Sequence, residues 1–209
     1  MDAVVRLGAF LLMFAVGCTS IGLAAYGKDD IARGQQLFER GQAVAAQQFF
    51  ESFTVQHPQN PAAAFYLGRI AFNAGQYEQA AQWLEKAVQL DETNSDYHFW
   101  LGRAYGYRAS QARSGEQFFL ARKVRVHLER AVELNPDNLP ARFDLLEYYL
   151  RAPLFLGGGP DKARSQAEEI SKRNVTEGAK AWARYEQFER EMPNGEDEQP
   201  LTDILGNTP

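Results

Sequence analysis

The sequence predicts an all-α fold, an open solenoid of antiparallel helix pairs that repeat along the chain. The first observation is a period, because glycine and asparagine recur at a spacing of 34 residues in the 209-residue chain. The recurring residues are Gly34, Gly68 and Gly102, then Gly41 and Gly75, and then Asn60 and Asn94. Three independent columns at one period indicate a structural repeat made of two short helices.

The second observation is the spacing of apolar residues inside the period. Residues 65–91 read FYLGRIAFNAGQYEQAAQWLEKAVQLD. The apolar positions around Leu67 and around Leu84 follow the three-to-four-residue spacing of amphipathic helices, with a turn at Gly75 between them. The small residues Gly68 and Ala80 would let the two helices approach each other closely. This segment therefore predicts one antiparallel helix pair.

The motif resembles the tetratricopeptide repeat, whose pattern is W-x2-L-G-x2-Y, then A-x3-F, then P. The matching residues are Leu101, Gly102 and Tyr105 for the first part, Ala46 and Phe50 for the second, and Pro58 and Pro136 for the third. His98 stands where the pattern has tryptophan, and Glu92 replaces the proline of the second repeat. The resemblance implies a right-handed solenoid whose first helices line a concave groove, with no cofactor.

We place four repeats at residues 27–60, 61–94, 95–138 and 139–174, followed by a capping helix at 176–191. The equivalent sequences AVQLD and AVELN lie 44 residues apart, so the third repeat holds ten extra residues. We expect these in the turn between its two helices, and five more in the equivalent turn of the fourth repeat. Because equivalent turns share one edge of a solenoid, the two insertions should be neighbours.

The N-terminal 25 residues are interpreted as a targeting segment rather than part of the fold. Residues 7–25 carry no charge and follow Arg6, which is the layout of a bacterial-type secretory signal with cleavage after Ala24. The sequence AVGC also resembles a lipobox, which would place a lipid on Cys18. An uncleaved membrane anchor is the third possibility. Each alternative predicts an exported protein, periplasmic or tethered on the periplasmic side of the membrane, with membrane contact through this segment or its lipid.

Charge and composition argue against several classes of function. The net charge is -5, and residues 193–209 form an acidic tail with four acids and no base, which leaves residues 25–192 near neutral. No bulk charge favours nucleic acid as a partner. The three histidines, His57, His98 and His127, are too scattered to predict a metal site, and they form no catalytic arrangement with Cys18. We therefore expect neither a catalytic residue nor a metal, and a flexible tail at 192–209.

The glycine-rich stretch LFLGGGPDK, residues 154–162, resembles a phosphate-binding loop only superficially. A P-loop needs a glycine directly before its lysine, whereas Asp161 precedes Lys162 here. Asp161 would also repel phosphate at a helix N-terminus. We interpret the stretch as a turn that ends at Pro160, where a helix begins. The less favoured alternative is that this loop binds a nucleotide in an enzyme.

The concave groove is the predicted binding site. Positions five, nine and twelve of each first helix face the groove in the family that this chain resembles. The predicted residues are Phe65, Arg69, Phe72, Phe99, Arg103, Tyr107, Phe143 and Glu147. Aromatic residues with arginine are the types that anchor protein interfaces. The alternative is that the phenylalanines pack into the next repeat while the arginines are solvated.

The expected function is non-catalytic binding of a peptide or partner protein. The lysine of the known carboxylate clamp is absent, since Ile31, Phe65 and Phe99 fill its position. A structural or oligomerisation module is the rival, with its groove filled by the tail sequence PLTDIL at 200–205. The basic cluster around Arg113 and Arg122 is interpreted as a solvated face, or else as a dock for an acidic partner or a lipid headgroup.

Overall fold

The computed structural model describes residues 26–191, and within that range the chain forms nine α-helices and one short 3-10 helix. The helices are α1 (Tyr26–Glu39), α2 (Ala43–Gln56), α3 (Pro61–Asn73), α4 (Tyr77–Leu90), α5 (Ser95–Gln111), α6 (Ser114–Leu134), α7 (Leu139–Arg151), α8 (Pro160–Arg173) and α9 (Val175–Glu191). The 3-10 helix, Leu154–Leu156, lies between α7 and α8. Consecutive helices pack against each other all along the chain, as in a tetratricopeptide-repeat solenoid, which confirms the predicted all-α fold. The signal, lipidation and tail predictions fall on residues outside the described range.

The asparagine at the end of each repeat caps the helix that follows it. The Asn60 side chain accepts a hydrogen bond from the Ala62 amide at 3.0 Å, and Asn94 accepts one from the Asp96 amide at 3.0 Å. Asn138 and Asn174 accept equivalent bonds from amides three residues further on. Because a side-chain oxygen satisfies a free amide of the first turn, asparagine starts each helix at the same place in the repeat. This cap is the physical cause of the asparagine column.

The glycine columns serve two different purposes. Gly41 and Gly75 adopt positive φ angles of 71° and 74° in the turns that end α1 and α3, a backbone conformation that other residues rarely adopt. Gly68 instead lies where α3 meets α4, and a Cβ there would be 2.6 Å from the Leu84 Cγ atom. The glycines at positions 41 and 75 therefore end helices, whereas Gly68 lets two paired helices pack closely.

The third repeat differs from the prediction, because its ten extra residues lengthen both helices instead of enlarging the turn. The helices α5 and α6 have 17 and 21 residues, compared with 13 and 14 in α3 and α4. Ala109 stands where Gly41 and Gly75 end the first helix of earlier repeats. Without a glycine in the left-handed conformation, α5 continues for about one more turn. The result is a long hairpin with a connection of only Ala112 and Arg113.

The fourth repeat carries its extra residues in the turn, as predicted. The α7 helix ends at Arg151, ahead of Pro153, and α8 begins at Pro160. A Cβ on Gly158 would lie 1.7 Å from the Ala152 carbonyl oxygen, so only glycine fits there. The lengthened hairpin of the third repeat and this enlarged turn are neighbours, since the rings of Phe118 on α6 and Phe155 stack with centroids 6.2 Å apart.

Buried side chains form two clusters along the stack. The smaller cluster joins α2 and α3 around Phe50 and Leu67, and the larger one runs from α3 to α9. His98, which replaces the tryptophan of the repeat pattern, is buried beside His127 of α6. Its Nε2 donates to the Glu92 carbonyl at 3.1 Å, and its Nδ1 accepts from the His127 Nδ1 at 3.0 Å. A neutral histidine pair thus fills the tryptophan position between α5 and α6.

Candidate functional site

The eight residues that the sequence predicts for the groove have different environments. Phe65 and Phe99 are 8% and 6% exposed, so their rings belong to the core and support the surface from beneath. Arg69, Phe72 and Arg103 are half-buried and lie beside them on α3 and α5. Phe65 and Phe99 at position five therefore pack into the core, and Arg69, Phe72 and Arg103 carry the accessible groups.

Arg69 lies among aromatic rings and forms no ion pair with any side chain that the structure describes, and the Asp96 carboxylate acts on it only from a longer distance. Its guanidinium is 4.7 Å from the Phe38 ring centroid, 4.3 Å from that of Trp100 and 5.7 Å from that of Phe65. The Nε atom is buried and makes no hydrogen bond to the described residues. Burial lowers the pKa of Arg69 from its ordinary value. The rings hold the cation in place, and its charge is left uncompensated by any ion pair.

The positive charge of Arg103, one repeat further on, is balanced by a carboxylate. Its Nε lies 3.3 Å from the Asp144 Oδ2, a contact close enough for an ion pair but without hydrogen-bond geometry. The guanidinium also lies 5.2 Å from the Trp100 ring centroid and 5.5 Å from that of Phe72. Burial raises the pKa of Asp144 to about 6, and Arg103 opposes that shift. Trp100 thus separates two arginines, of which Arg103 forms an ion pair with a carboxylate and Arg69 forms none with the described side chains.

A register rule along the stack explains this difference. Position nine of each first helix meets position six of the next first helix, so Arg69 meets Trp100 and Arg103 meets Asp144. Gln35 and Tyr66 occupy the equivalent positions in the first two repeats, where burial raises the pKa of Tyr66 and the smaller effect of Gln35 acts to lower it. At position six, Arg69 therefore meets the indole of Trp100, whereas Arg103 meets the carboxylate of Asp144.

Three aromatic rings extend the surface toward the turn of the second repeat. Tyr107 stacks on Tyr77 with ring centroids 4.8 Å apart, and Phe72 meets both rings edge-on at 5.1 and 5.3 Å. Phe72 also contacts Trp100 at 5.4 Å. We call the continuous set formed by Phe38, Arg69, Phe72, Trp100, Arg103 and Tyr107 the aromatic–arginine surface.

The two remaining predicted residues lie away from this surface. The carboxylate of Glu147 accepts hydrogen bonds from Arg151 at 3.1 Å and from Arg184 at 3.0 Å. Because Arg184 belongs to α9, Glu147 fixes the last helix to α7. Phe143 is half-buried against the larger core cluster. Both residues serve the packing of the C-terminal repeats in this structure.

Sequence reasoning missed Trp100, Asp144 and Tyr77. Trp100 and Asp144 occupy position six, which the groove pattern of positions five, nine and twelve leaves out, and Tyr77 starts a second helix. Pairing position nine with position six of the next repeat would have found the first two. The described residues contain no cluster of three or more His, Cys, Asp or Glu side chains that could hold a metal ion. No helix among them is long and apolar enough to cross a membrane.

The glycine-rich loop is closed by its own hydrogen bonds. The amides of Gly157, Gly158 and Gly159 donate to the carbonyls of Leu154, Pro153 and Tyr149 at 2.8, 3.2 and 2.8 Å. The Lys162 ammonium donates to the Gly157 carbonyl at 2.8 Å. The amides and the lysine that would face a phosphate are thus used within the loop, which supports its interpretation as a turn.

Comparison with known proteins agrees with this geometry. Residues 37–105, which are 69 of the 209 residues, match the family model described as tetratricopeptide repeat. No curated protein matches the chain. Among solved structures, the chain is similar to YrrB, described as "a TPR protein with an unusual peptide-binding site", with 19% identity and a TM-score of 0.61 over 84% of this chain and 82% of that one.

Two further structures show the same fold. The MamA protein is 18% identical with a TM-score of 0.55, over 82% of this chain and 96% of that one. The O-GlcNAc transferase of Thermobaculum terrenum is 24% identical with a TM-score of 0.59 over 70% of this chain, but this chain spans only 26% of the transferase. At these identities the likeness concerns the fold alone. The described part of the chain therefore has the fold of a tetratricopeptide-repeat solenoid, and residues 37–105 match the repeat motif itself.

Proposed function

We propose that this chain is a non-catalytic protein-interaction scaffold whose aromatic–arginine surface binds an extended segment of a partner protein. The observation that carries this proposal is Arg69, whose guanidinium lies 4.7 Å from the Phe38 ring centroid and 4.3 Å from that of Trp100 and forms no ion pair with any side chain that the structure describes. A held, partly desolvated guanidinium binds a carboxylate strongly, because little side-chain entropy is lost on binding. The partner segment therefore carries an Asp, a Glu or a terminal carboxylate that takes the place Asp144 has beside Arg103.

The neighbouring rings define the rest of the segment. Phe72, Tyr77 and Tyr107 form a half-buried aromatic face directly beyond Trp100. Aromatic rings with arginine are the side chains that carry most of the binding free energy in protein interfaces. An apolar residue next to the carboxylate would contact this face. We infer a short motif that combines one acid with one apolar side chain.

Substitution of Arg69 tests the proposal. Full-length protein with a photo-crosslinking residue at the exposed position Asn73 is used to capture partners from envelope fractions, and the captured segment is then measured by calorimetry. Arg69→Gln should weaken its binding by about tenfold to a hundredfold, the usual cost of losing a hydrogen bond to a charged group. Arg164→Gln, an exposed arginine on α8, is the matched control and should leave binding unchanged.

A double-mutant cycle identifies the carboxylate. Replacing the acid of the captured segment by its amide should weaken binding to the native chain as much as Arg69→Gln does, and should have no further effect on that variant. If Arg69→Gln captured the same proteins in the same yield and with the same affinity, the proposal would be wrong.

The acidic tail is a competing occupant of the same surface. Residues 193–209 carry four acids and no base, which complements the unpaired charge of Arg69. Removal of residues 193–209 distinguishes the two cases. A surface open to partners should bind them equally well before and after the truncation, whereas a surface filled by the tail should bind them more tightly once the tail is gone.

We further propose that the protein works in the cell envelope. The support is the uncharged run at residues 7–25, with its candidate cleavage after Ala24 and candidate lipidation at Cys18. Mass spectrometry of the mature N-terminus distinguishes cleavage, lipidation and an intact anchor. An intact N-terminus on a protein found in the cytoplasmic fraction would contradict the proposal.

A further inference from the structure

The lengthened hairpin of the third repeat has an unusual outer face. On α6, Phe119, Arg122 and Val126 follow one another at helical spacing and all three point away from the core. Phe119 is 66% exposed and Val126 is 53% exposed. Isolated apolar residues on a surface are ordinary, so a functional interpretation of this face depends on whether Phe119 has exposed apolar neighbours.

The turn of the fourth repeat supplies those neighbours. Its 3-10 helix places Leu154 and Phe155 at 79% and 66% exposure beside α6. The Phe118 ring contacts Phe119 at 5.5 Å and Phe155 at 6.2 Å, which makes the aromatic patch continuous across the two repeats. Only seven large apolar side chains are exposed among those the structure describes, and four of them lie here. We call residues 108–126 together with Leu154 and Phe155 the hairpin edge.

The hairpin edge is also the basic part of an acidic protein. Residues 108–126 hold five bases and one acid, a charge of +4 in a chain of -5. The five bases are Arg108, Arg113, Arg122, Lys123 and Arg125. Arg108, Lys123 and Arg125 lie near carboxylates of Glu78, Glu85 and Glu129 respectively. Arg113 and Arg122 are exposed and make no ion pair with any residue whose side chain is described.

We propose that the hairpin edge docks the protein on a bilayer containing anionic lipids. Exposed phenylalanines beside unpaired arginines match the boundary of such a bilayer, where apolar groups enter between headgroups and cations meet phosphates. A bilayer also accepts cations without a fixed constellation of acids, which a protein partner would have to supply. This surface lies on the end of α5, on α6 and on the turn between α7 and α8, so it does not depend on the aromatic–arginine surface.

Two pairs of substitutions test the docking in full-length protein. Binding is measured to vesicles of phosphatidylcholine alone and of phosphatidylcholine mixed with phosphatidylglycerol. The native chain should prefer the anionic vesicles by about tenfold or more, and salt should reduce that preference. Arg113→Glu/Arg122→Glu should abolish the preference. Phe119→Ser/Phe155→Ser should weaken binding to the anionic vesicles.

Matched controls separate the edge from general charge and apolarity. Lys172→Glu/Lys180→Glu reverses two charges on α8 and α9, and Val44→Ser/Val55→Ser removes two exposed apolar groups from α2. Both should keep the native preference. All four side-chain pairs lie on the surface, and circular dichroism verifies that each variant is folded.

If residues 7–25 bind both kinds of vesicle, total binding would not report on the hairpin edge. Hydrogen exchange is then measured on the vesicle-bound protein. The amides of residues 114–126 and 154–159 should then exchange more slowly on anionic than on neutral vesicles, while those of α2 should not. Equal exchange on both kinds of vesicle, or a preference that the Arg113/Arg122 pair leaves intact, would overturn the proposal. A dimer in sedimentation experiments that Phe119→Ser/Phe155→Ser dissolves, with lipid preference unchanged, would assign the edge to a second copy and equally overturn it.

Discussion

At the scale of single residues, Trp100 and Asp144 decide how the two groove arginines differ. Both occupy the sixth position of a first helix, and each meets the arginine of the preceding repeat. The Asp144 carboxylate neutralises Arg103 within the protein, whereas the Trp100 indole holds Arg69 without neutralising it. One arginine is therefore neutralised within the stack, and the other is available to a partner.

The ionisation of Asp144 is directly measurable. Its carboxyl carbon should titrate in NMR with a midpoint near a pKa of about 6, because burial raises it from an ordinary value of 3.8. Arg103→Gln should raise the midpoint further, since Arg103 opposes the shift. The stability that Asp144 contributes is complete below pH 3.8 and is lost as the pH rises through about 6.

The matched control for this titration is Arg164→Gln, which alters an exposed arginine on α8 and should leave the midpoint unchanged. A native midpoint close to 3.8 would show that Asp144 is well solvated, and would contradict the burial of its carboxylate beside Arg103.

The residues of the site were predictable only in part. Arg69, Phe72 and Arg103 follow from their place in the repeat, because the repeat pattern states which helix and which side they occupy. Whether such an arginine is paired depends on a side chain in the next repeat. The exposure of Phe65 and Phe99 depends likewise on neighbouring rings such as Tyr97, whose centroid lies 4.9 Å from that of Phe65.

At the scale of helices, the third repeat shows how one residue changes an element. Gly41 and Gly75 end α1 and α3 by adopting positive φ, and Ala109 at the same place in α5 does not. The helix continues, and α6 lengthens with it. The extension carries the basic residues and Phe119 beyond the neighbouring pair, which creates the hairpin edge.

Close packing between helices makes Gly68 sensitive to one added methyl group. Gly68→Ala places a Cβ within 2.6 Å of the fully buried Leu84, and should lower the free energy of unfolding by about 1–2 kcal/mol. Gly115→Ala is the matched control, because nothing lies within 4 Å of its Cβ position in α6. It should raise the free energy of unfolding by up to about 1 kcal/mol.

Urea denaturation of the two variants measures both effects. If Gly68→Ala were as stable as the native chain, α3 and α4 would have to be further apart than this structure shows.

At the scale of the whole molecule, stability is distributed unevenly along the stack. The smaller cluster around Phe50 stabilises the first two repeats, and the larger cluster runs from α3 to α9. Tyr66 and Trp83 pack against both clusters. In a solenoid each repeat contacts only its neighbours, so its two ends can open separately.

Phe50→Ala should reveal this uneven distribution. Phe50 is fully buried, and its loss costs about 3–5 kcal/mol, as for other large-to-small core substitutions. Native-state hydrogen exchange should accelerate in α1 and α2 and remain unchanged in α5 and α6. Leu128→Ala, in the larger cluster, should instead accelerate exchange in α5 and α6. A uniform acceleration along the chain for Phe50→Ala would show that the stack unfolds as one unit.

The sequence by itself determined the repeat, the helix starts and the close contacts between paired helices. These depend on local physics, since an asparagine caps a helix two or three residues away and a glycine bends the backbone at its own position. Only the tertiary structure decided which arginine is paired, which phenylalanines are buried and where the apolar patch lies. Each of these depends on contacts between side chains of successive repeats, and the stacking of the repeats determines which side chains come into contact.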